Sequence, residues 1–351
     1  MRFHFTAEQV ALHDAVSALL SGTCTPAAVR AAWTAPASSF DRASWQALSE
    51  MGVFEVLVPA EAGGLGLDWC SLVLVLEATG RVCFPGPIVE TAAVAAPVLG
   101  EAPRLLGAPP PLGEAALVLG KAAPLLGGAA LPGAPMISAS LGGMPAPCGD
   151  DADLLLVDHR ETLLLLPRTA VSGQRLESVD RSRRLLRVEA IDPSMATVVA
   201  EGPAALEAAL DRAALGTAAQ LLGLSQTMLD MTVAYVADRH QFGVPIGSFQ
   251  AVKHRLADAL MELRFARPVV YRAAWSMAVA DAAATEHVAM AKAMASDAAE
   301  VIGRAALQCH GAMGYADTHD LHLYLKRSWA LARAFGSAAW HREQVAVRLG
   351  I

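Results

Sequence analysis

Asp238-Arg-His-Gln-Phe-Gly-Val-Pro-Ile-Gly-Ser-Phe-Gln250 interrupts a long run of helix-forming sequence. Residues 233–238 before it and 251–265 after it carry apolar side chains at helical spacing, so the stretch reads as a break between two helices. Two readings of the break stand side by side. In one it is a plain helix–helix turn, with glycines and a proline supplying the bend and Phe242, Ile246 and Phe249 anchoring it in the core. In the other it grips an anionic ligand. Arg239 then offers a planar fork of donors to a diphosphate, Gln241 and Gln250 offer amides, and Phe242 and Phe249 offer faces for stacking.

A second break, Gln308-Cys-His-Gly-Ala-Met-Gly-Tyr315, has the same two readings. Its glycines let backbone N–H groups approach a ligand at a helix end, or they simply terminate the helix. Outward from these breaks, residues 203–349 read as helix almost throughout. Val252, Leu256, Leu260 and Leu263 mark one buried face, and further breakers fall near 268 and 336. The alanine content lets these helices approach closely, as in a bundle, and some of them are expected to pack against another subunit. Residues 101–200 collect prolines and glycines around short β-type runs at 115–119, 154–157, 162–166 and 185–188. Residues 1–100 alternate helical patterns with Gly/Pro loops. Thr6 and Gln9 form a capping box for the first helix, and the loop Pro59-Ala-Glu-Ala-Gly-Gly-Leu-Gly66 precedes another apolar helix.

The chain has 351 residues, 54% of them apolar and 17% charged, with a formal net charge of −7. That composition supports a large core and excludes disorder, and without a basic stripe it excludes a nucleic-acid partner. The charge-free stretch 122–149 is long enough to span a bilayer, but Pro124, Pro132, Pro135, Pro145 and Pro147 rule out a regular spanning helix. The N-terminus reads as a mature helix rather than a signal peptide. Five scattered cysteines without a Cys-x-x-Cys pair read as reduced thiols, which places the protein in the cytoplasm.

Taken together, Arg-x-Gln-Phe-Gly-x-x-Ile-x-x-Phe-Gln and, about sixty residues on, Gln-x-x-Gly-x-x-Gly-Tyr resemble the acyl-CoA dehydrogenase family. Trp45…Leu48-Ser-Glu-Met-Gly-Val53, Val58-Pro59…Gly63-Gly-Leu-Gly66, Glu77-Ala-Thr-Gly-Arg81 and Pro85-Gly-Pro87 extend the resemblance to the N-terminal zone. It implies an α+β, mainly α fold: an N-terminal helical domain (1–110), a reduced β-domain (111–200) and a C-terminal helical bundle (201–351). It also implies FAD, with Arg239, Gln241, Phe242, Ile246, Phe249 and Gln250 at the diphosphate and adenosine of a flavin bound mainly by a neighbouring subunit. Gln308, Cys309, His310, Gly311 and Ala312 fall at the same end of the cofactor, with Ala312 replacing the usual second glycine. Asp211 falls where a carboxylate often touches substrate, an acyl-CoA thioester, and an electron-transfer flavoprotein is the implied acceptor.

The sequence departs from the family where the chemistry is done. The usual base is a glutamate 27 residues beyond the position of Gln308, which here is Phe335, followed by Gly336 and Ser337 as in the family turn. The alternative base position, 26 residues before Arg239, is Ala213. Neither side chain accepts a proton. The Thr-Glu-Pro-x-x-Gly-Ser-Asp-like stretch that holds the flavin ring is missing from 120–150. One hypothesis reconciles these losses: the chain is the subunit without a base in a heteromeric acyl-CoA dehydrogenase, of the kind found in bacterial steroid catabolism, and donates cofactor-binding residues to a catalytic partner. A homomeric flavoenzyme with another base or reaction, and a cofactor-free scaffold of the same fold, stay open beside it. No metal site is expected. His319 and His322 read as sharing a helix face near His310 but lack further ligands, and Lys326-Arg327 with Arg333 reads as a solvated or interfacial face.

Overall fold

A computed structural model describes residues 4–34, 42–101 and 134–351. Ten α-helices are described: α1 (Ala7–Thr23), α2 (Pro26–Thr34), α3 (Arg42–Glu50), α4 (Trp69–Arg81), α5 (Ala96–Glu101), α6 (Pro203–Asp238), α7 (Gln250–Ala278), α8 (Ala284–His310), α9 (Leu321–Arg333) and α10 (Ala338–Leu349). Thr6 and Gln9 close the capping box on α1, each side chain accepting from the other's backbone N–H. A π-helical turn, Val89–Ala95, runs directly into α5. Among the described residues no helix is long and apolar enough to cross a membrane.

The strand runs expected at 154–157, 162–166 and 185–188 are strands, whereas 115–119 lies outside the described residues. The main sheet has the order β1 (Ile137–Ser140), β2 (Leu154–His159), β3 (Thr162–Pro167), β6 (Thr197–Glu201), and only β1 and β2 are parallel. β4 (Val171–Leu176) and β5 (Leu185–Ile191) pair as a separate antiparallel ribbon. Continuous apolar runs here follow from burial on both faces. Leu154, Leu156, Leu163 and Leu165 join the main core shared with the helices, while Leu155, Val157, Leu164 and Leu166 fill a second core under the ribbon.

In the bundle, α8 packs against α6 and α7, and α4 crosses α6. At that crossing a Cβ on Gly223 would overlap the Glu77 carbonyl oxygen, so glycine is required for the backbones to approach this closely. Two details of the expected bundle differ. The buried seam of α7 is Ala259, Leu263, Ala266, Val270 and Ala273, with Val252 and Leu256 only half-buried and Leu260 exposed. The seam follows the small residues because they meet the alanines of α8, which turns Leu260, Met261 and Phe265 outward. Pro268 does not break α7 either. It lies on the exposed face, where water can satisfy the carbonyl its missing N–H leaves free.

Arg327, expected on a solvated or interfacial face, is instead buried within the chain itself. It forms an ion pair with Asp180 on the turn before β5, and it donates to the Phe84 carbonyl and to Ser182 Oγ, both at 2.6 Å. Asp180 also accepts from the Ser182 hydroxyl and backbone N–H. One guanidinium therefore joins α9, the strand region and the segment after α4. Its position in the sequence resembles a surface run, yet the neighbours of α9 close over it.

These features separate by magnitude in denaturant unfolding. Arg327→Met leaves the Asp180 carboxylate buried without its cation and should cost about 3–5 kcal/mol. Gly223→Ala should cost about 1–3 kcal/mol through forced separation of α4 and α6. Arg342→Ala, which removes an exposed ion pair to Asp297, should cost less than about 1 kcal/mol.

Candidate functional site

The stretch after α6 folds as a tight hairpin. Residues His240–Gln241 pair with Val244–Pro245, and Phe242 and Gly243 at the tip take left-handed φ values of 54° and 82°. The Arg239 N–H closes α6 on the Tyr235 carbonyl, and the Arg239 carbonyl receives the Ile246 N–H at 2.8 Å. The plain-turn reading fails here. Phe242 is 94% exposed and Phe249 38%, and the two rings meet edge-on 6.2 Å apart, while Ile246 is half-buried. A phenylalanine held in a strained backbone region and pushed into solvent forgoes about 1.5–3 kcal/mol of burial in the isolated chain. Such a residue is available to a ligand or to another chain.

The second break lies beside the first. α8 ends at His310, whose Nδ1–H donates to the Ala306 carbonyl (2.8 Å) and whose ring stacks on Tyr235 at 4.3 Å. Tyr235 sits one turn before Arg239, so the ends of α6 and α8 are fixed together. Gln308, Gly311 and Ala312 are exposed and Cys309 is half-buried, and the His310 Nε2 is buried with no partner among the described residues. Burial moves the His310 pKa down, which leaves that nitrogen a neutral acceptor. Exposed Arg239, Gln241, Gln250 and Gln308, two aromatic faces and an open helix end fit the adenosine–diphosphate half of a dinucleotide.

The turn at 334–337 is a separate place. Phe335, at φ 52°, is buried, its N–H donates to Met144 Sδ, and its carbonyl accepts from His341 Nε2 at 2.8 Å. A Cβ on Gly336, at φ 100°, would lie 2.6 Å from His341 Nε2, so glycine alone fits there. Lys292, fully buried on α8, donates to the carbonyls of Ala332 (3.1 Å) and Gly336 (3.0 Å). Burial and the nearby Arg183 guanidinium push the Lys292 amine down to about 7, and burial pushes His341 down to about 4. Sequence reasoning missed Lys292, although its register among the buried residues Val288, Ala291, Ala295 and Ala299 marks it as inward-facing.

Asp211 belongs to this end of the molecule. It lines a cavity of about 220 Å³ together with His341, Glu161, Glu207, Thr285 and Arg348, and burial lifts its carboxyl to about 6. Ala213 is fully buried in α6. Lys292 and His310 are eighteen residues apart on α8, roughly 27 Å along the axis, so the nucleotide-fitting breaks and the 334–337 turn form distinct surfaces. His319 precedes α9 and His322 lies inside it, hydrogen-bonded to the Asp317 carbonyl, so the two do not share a helix face. Among the described residues no group of three or more His, Cys, Asp or Glu is placed to hold a metal ion. All five cysteines are free, and burial pushes the Cys70 thiol to about 11, away from a reactive thiolate.

The Lys292 amine sets a pH signature. Between about pH 7 and 10.5 the unfolded chain holds a proton that the folded chain has released, so stability rises with pH across that window. The Tm of the wild type relative to Lys292→Met should therefore climb from pH 7 towards pH 10. A flat difference would show that the amine stays charged in the fold.

Comparison with known proteins agrees with this architecture. Residues 6–102 match the acyl-CoA dehydrogenase N-terminal domain and residues 200–350 match the acyl-CoA dehydrogenase C-terminal domain. The chain is 31% identical over 332 residues to acyl-CoA dehydrogenase IpdE2 of Mycolicibacterium smegmatis, covering 94% of each. Its fold is similar to a chain of the ChsE4-ChsE5 complex from Mycobacterium tuberculosis (TM-score 0.80, 24% identity, covering 100% of this chain and 99% of that one). It is similar also to a chain of the steroid ACAD Tcur3481-Tcur3483 (TM-score 0.81, 24% identity, covering 98% of each). With both family domains matched in order and a full-length relative at this identity, the chain belongs to the acyl-CoA dehydrogenase family.

Proposed function

We propose that this chain is the subunit without a base in a heteromeric, FAD-dependent acyl-CoA dehydrogenase, active only in the assembly. The observation that carries the reading is Phe335: the turn that presents the base in the family is intact here, held by Lys292 and His341, and displays an apolar ring. Ala213, buried in α6, offers no substitute. When bound, FAD supplies the hydride acceptor for α,β-dehydrogenation of an acyl-CoA thioester.

Arg239 would hold the diphosphate by charge-assisted bonds, Phe242 and Phe249 would stack against the adenosine end, and Gln241, Ile246, Gln250 and residues 308–312 would complete the seat. Because His310, beside that seat, and Lys292, which holds the 334–337 turn, are roughly 27 Å apart along α8, a flavin held by these residues would have its ring outside this chain's own turn. The ring, the base and α-proton removal then belong to a second acyl-CoA dehydrogenase subunit. The exposed Phe242, Leu260, Met261 and Phe265 give that subunit an apolar surface to cover.

The likeness to a chain of the ChsE4-ChsE5 complex and to a steroid ACAD supports a heteromeric enzyme and a steroid-derived thioester. Electrons pass on to an electron-transfer flavoprotein. Three units, 1–110, 111–200 and 201–351, and a cytoplasmic location are part of the same reading.

The chain purified alone should carry little flavin, and the chain co-expressed with a base-bearing partner of the family should carry it with thioester turnover. In that complex Arg239→Ala should weaken flavin retention by about 1.5–3 kcal/mol, roughly 10- to 150-fold. A stable yellow homo-oligomer of this chain with dehydrogenase activity would overturn the proposal, as would undiminished flavin occupancy in Arg239→Ala.

A further inference from the structure

Beside the 334–337 turn lies a cavity of about 540 Å³ between α9 and the strand region. Its walls include Met144, Leu185, Trp329 and Phe335, which is an apolar lining of the size that suits a small organic ligand. Arg183 also lines it. This arginine is only 9% exposed, and among the described residues its guanidinium makes no hydrogen bond and no ion pair. Its neighbours Arg184 and Arg327 are engaged with Asp151 and Asp180.

A guanidinium stays charged and carries five donors, so one that lines a cavity without a protein acceptor offers donors to whatever enters. The carboxyls of Glu90 and Asp180 lie close enough to attract the Arg183 charge, and burial works against Glu90 by raising its pKa, but neither carboxyl is hydrogen-bonded or ion-paired to the Arg183 guanidinium among the described residues. On the other side, the Lys292 amine is depressed partly by Arg183, which marks a positive local potential. Arg333 lines the same cavity, is exposed, and pairs with nothing among the described residues; Glu177, the one acidic residue lining the cavity, is exposed.

We infer that this cavity is a binding site for an organic carboxylate with an apolar body, its carboxylate paired two-pronged with Arg183 and attracted by Arg333, and its body against Phe335, Leu185 and Met144. The bidentate fit of guanidinium to carboxylate supplies orientation as well as affinity, and the walls select against small inorganic anions. The inference concerns the end of the molecule remote from the nucleotide seat, and it holds whether or not a flavin is shared between chains.

Calorimetric titration of the full chain with 2-naphthoate, 2-naphthamide and inorganic phosphate tests it. Naphthoate should bind one per chain, naphthamide and phosphate at least tenfold more weakly. Arg183→Gln should lose at least tenfold in naphthoate affinity, and Arg333→Ala a smaller factor. If Arg183→Gln fails to fold, the acid-to-amide ratio and the exposed Arg333→Ala variant decide the matter. Equal binding of acid and amide, phosphate binding as tight as naphthoate, no binding of naphthoate, or unchanged affinity in a folded Arg183→Gln would each overturn the site. Flavin content is measured separately in the same samples, so a failure here leaves the cross-chain reading standing, and the converse.

Discussion

The buried ion pair between Arg327 and Asp180 is the constraint on which the rest of the arrangement depends. Arg327 sits midway along α9, Asp180 on the turn before β5, and Phe84, which receives one of the arginine's hydrogen bonds, follows α4. A charge pair removed from water must be geometrically satisfied on every side, and three separate parts of the chain combine to satisfy this one. With α9 fixed against the strand region, the turn that follows it has a single place to go. Lys292 and His341 then hold its carbonyls, and the cavity lined by Arg183 is enclosed between the same two elements.

The two ends of the bundle consequently do different things. At one end, the hairpin after α6 and the open end of α8 are joined by the stacking of Tyr235 on His310, and they present donors and aromatic faces outward. At the other, a turn held by Lys292 and His341 buries Phe335, which the proposed function places where a base would stand. Under the proposed function, a second chain completes that division of labour.

Much of the fold was legible in the sequence, for identifiable reasons. The apolar runs Leu154–Val157 and Leu163–Leu166, bounded by turn residues, announce strands, and the Thr6–Gln9 box announces the start of α1. The two breaks carrying Arg239 and Gln308 were visible because glycine, proline and arginine interrupt long alanine-rich helices. Other features were hidden because they depend on what packs against them. Leu260 fits a helical stripe, but the stripe that wins, Ala259, Leu263, Ala266, Val270 and Ala273, alternates alanines with larger residues and lets α7 approach α8. Arg327 resembles its exposed neighbours in sequence until Asp180, far away in the chain, meets it. Phe242 looks like a core anchor, and only the hairpin's left-handed tip turns it out.

The proposed function stands on the breaks at 239–250 and 308–312 holding the nucleotide half of a flavin whose ring lies in another chain. The most direct measurement is a cryo-electron microscopy map of the assembly formed with a base-bearing partner. Dinucleotide density should lie against Arg239, Phe242 and Gly311, with the flavin ring enclosed by the partner. A flavin ring seated at this chain's own Phe335 turn, or a hairpin facing solvent with no dinucleotide near it, would contradict the account.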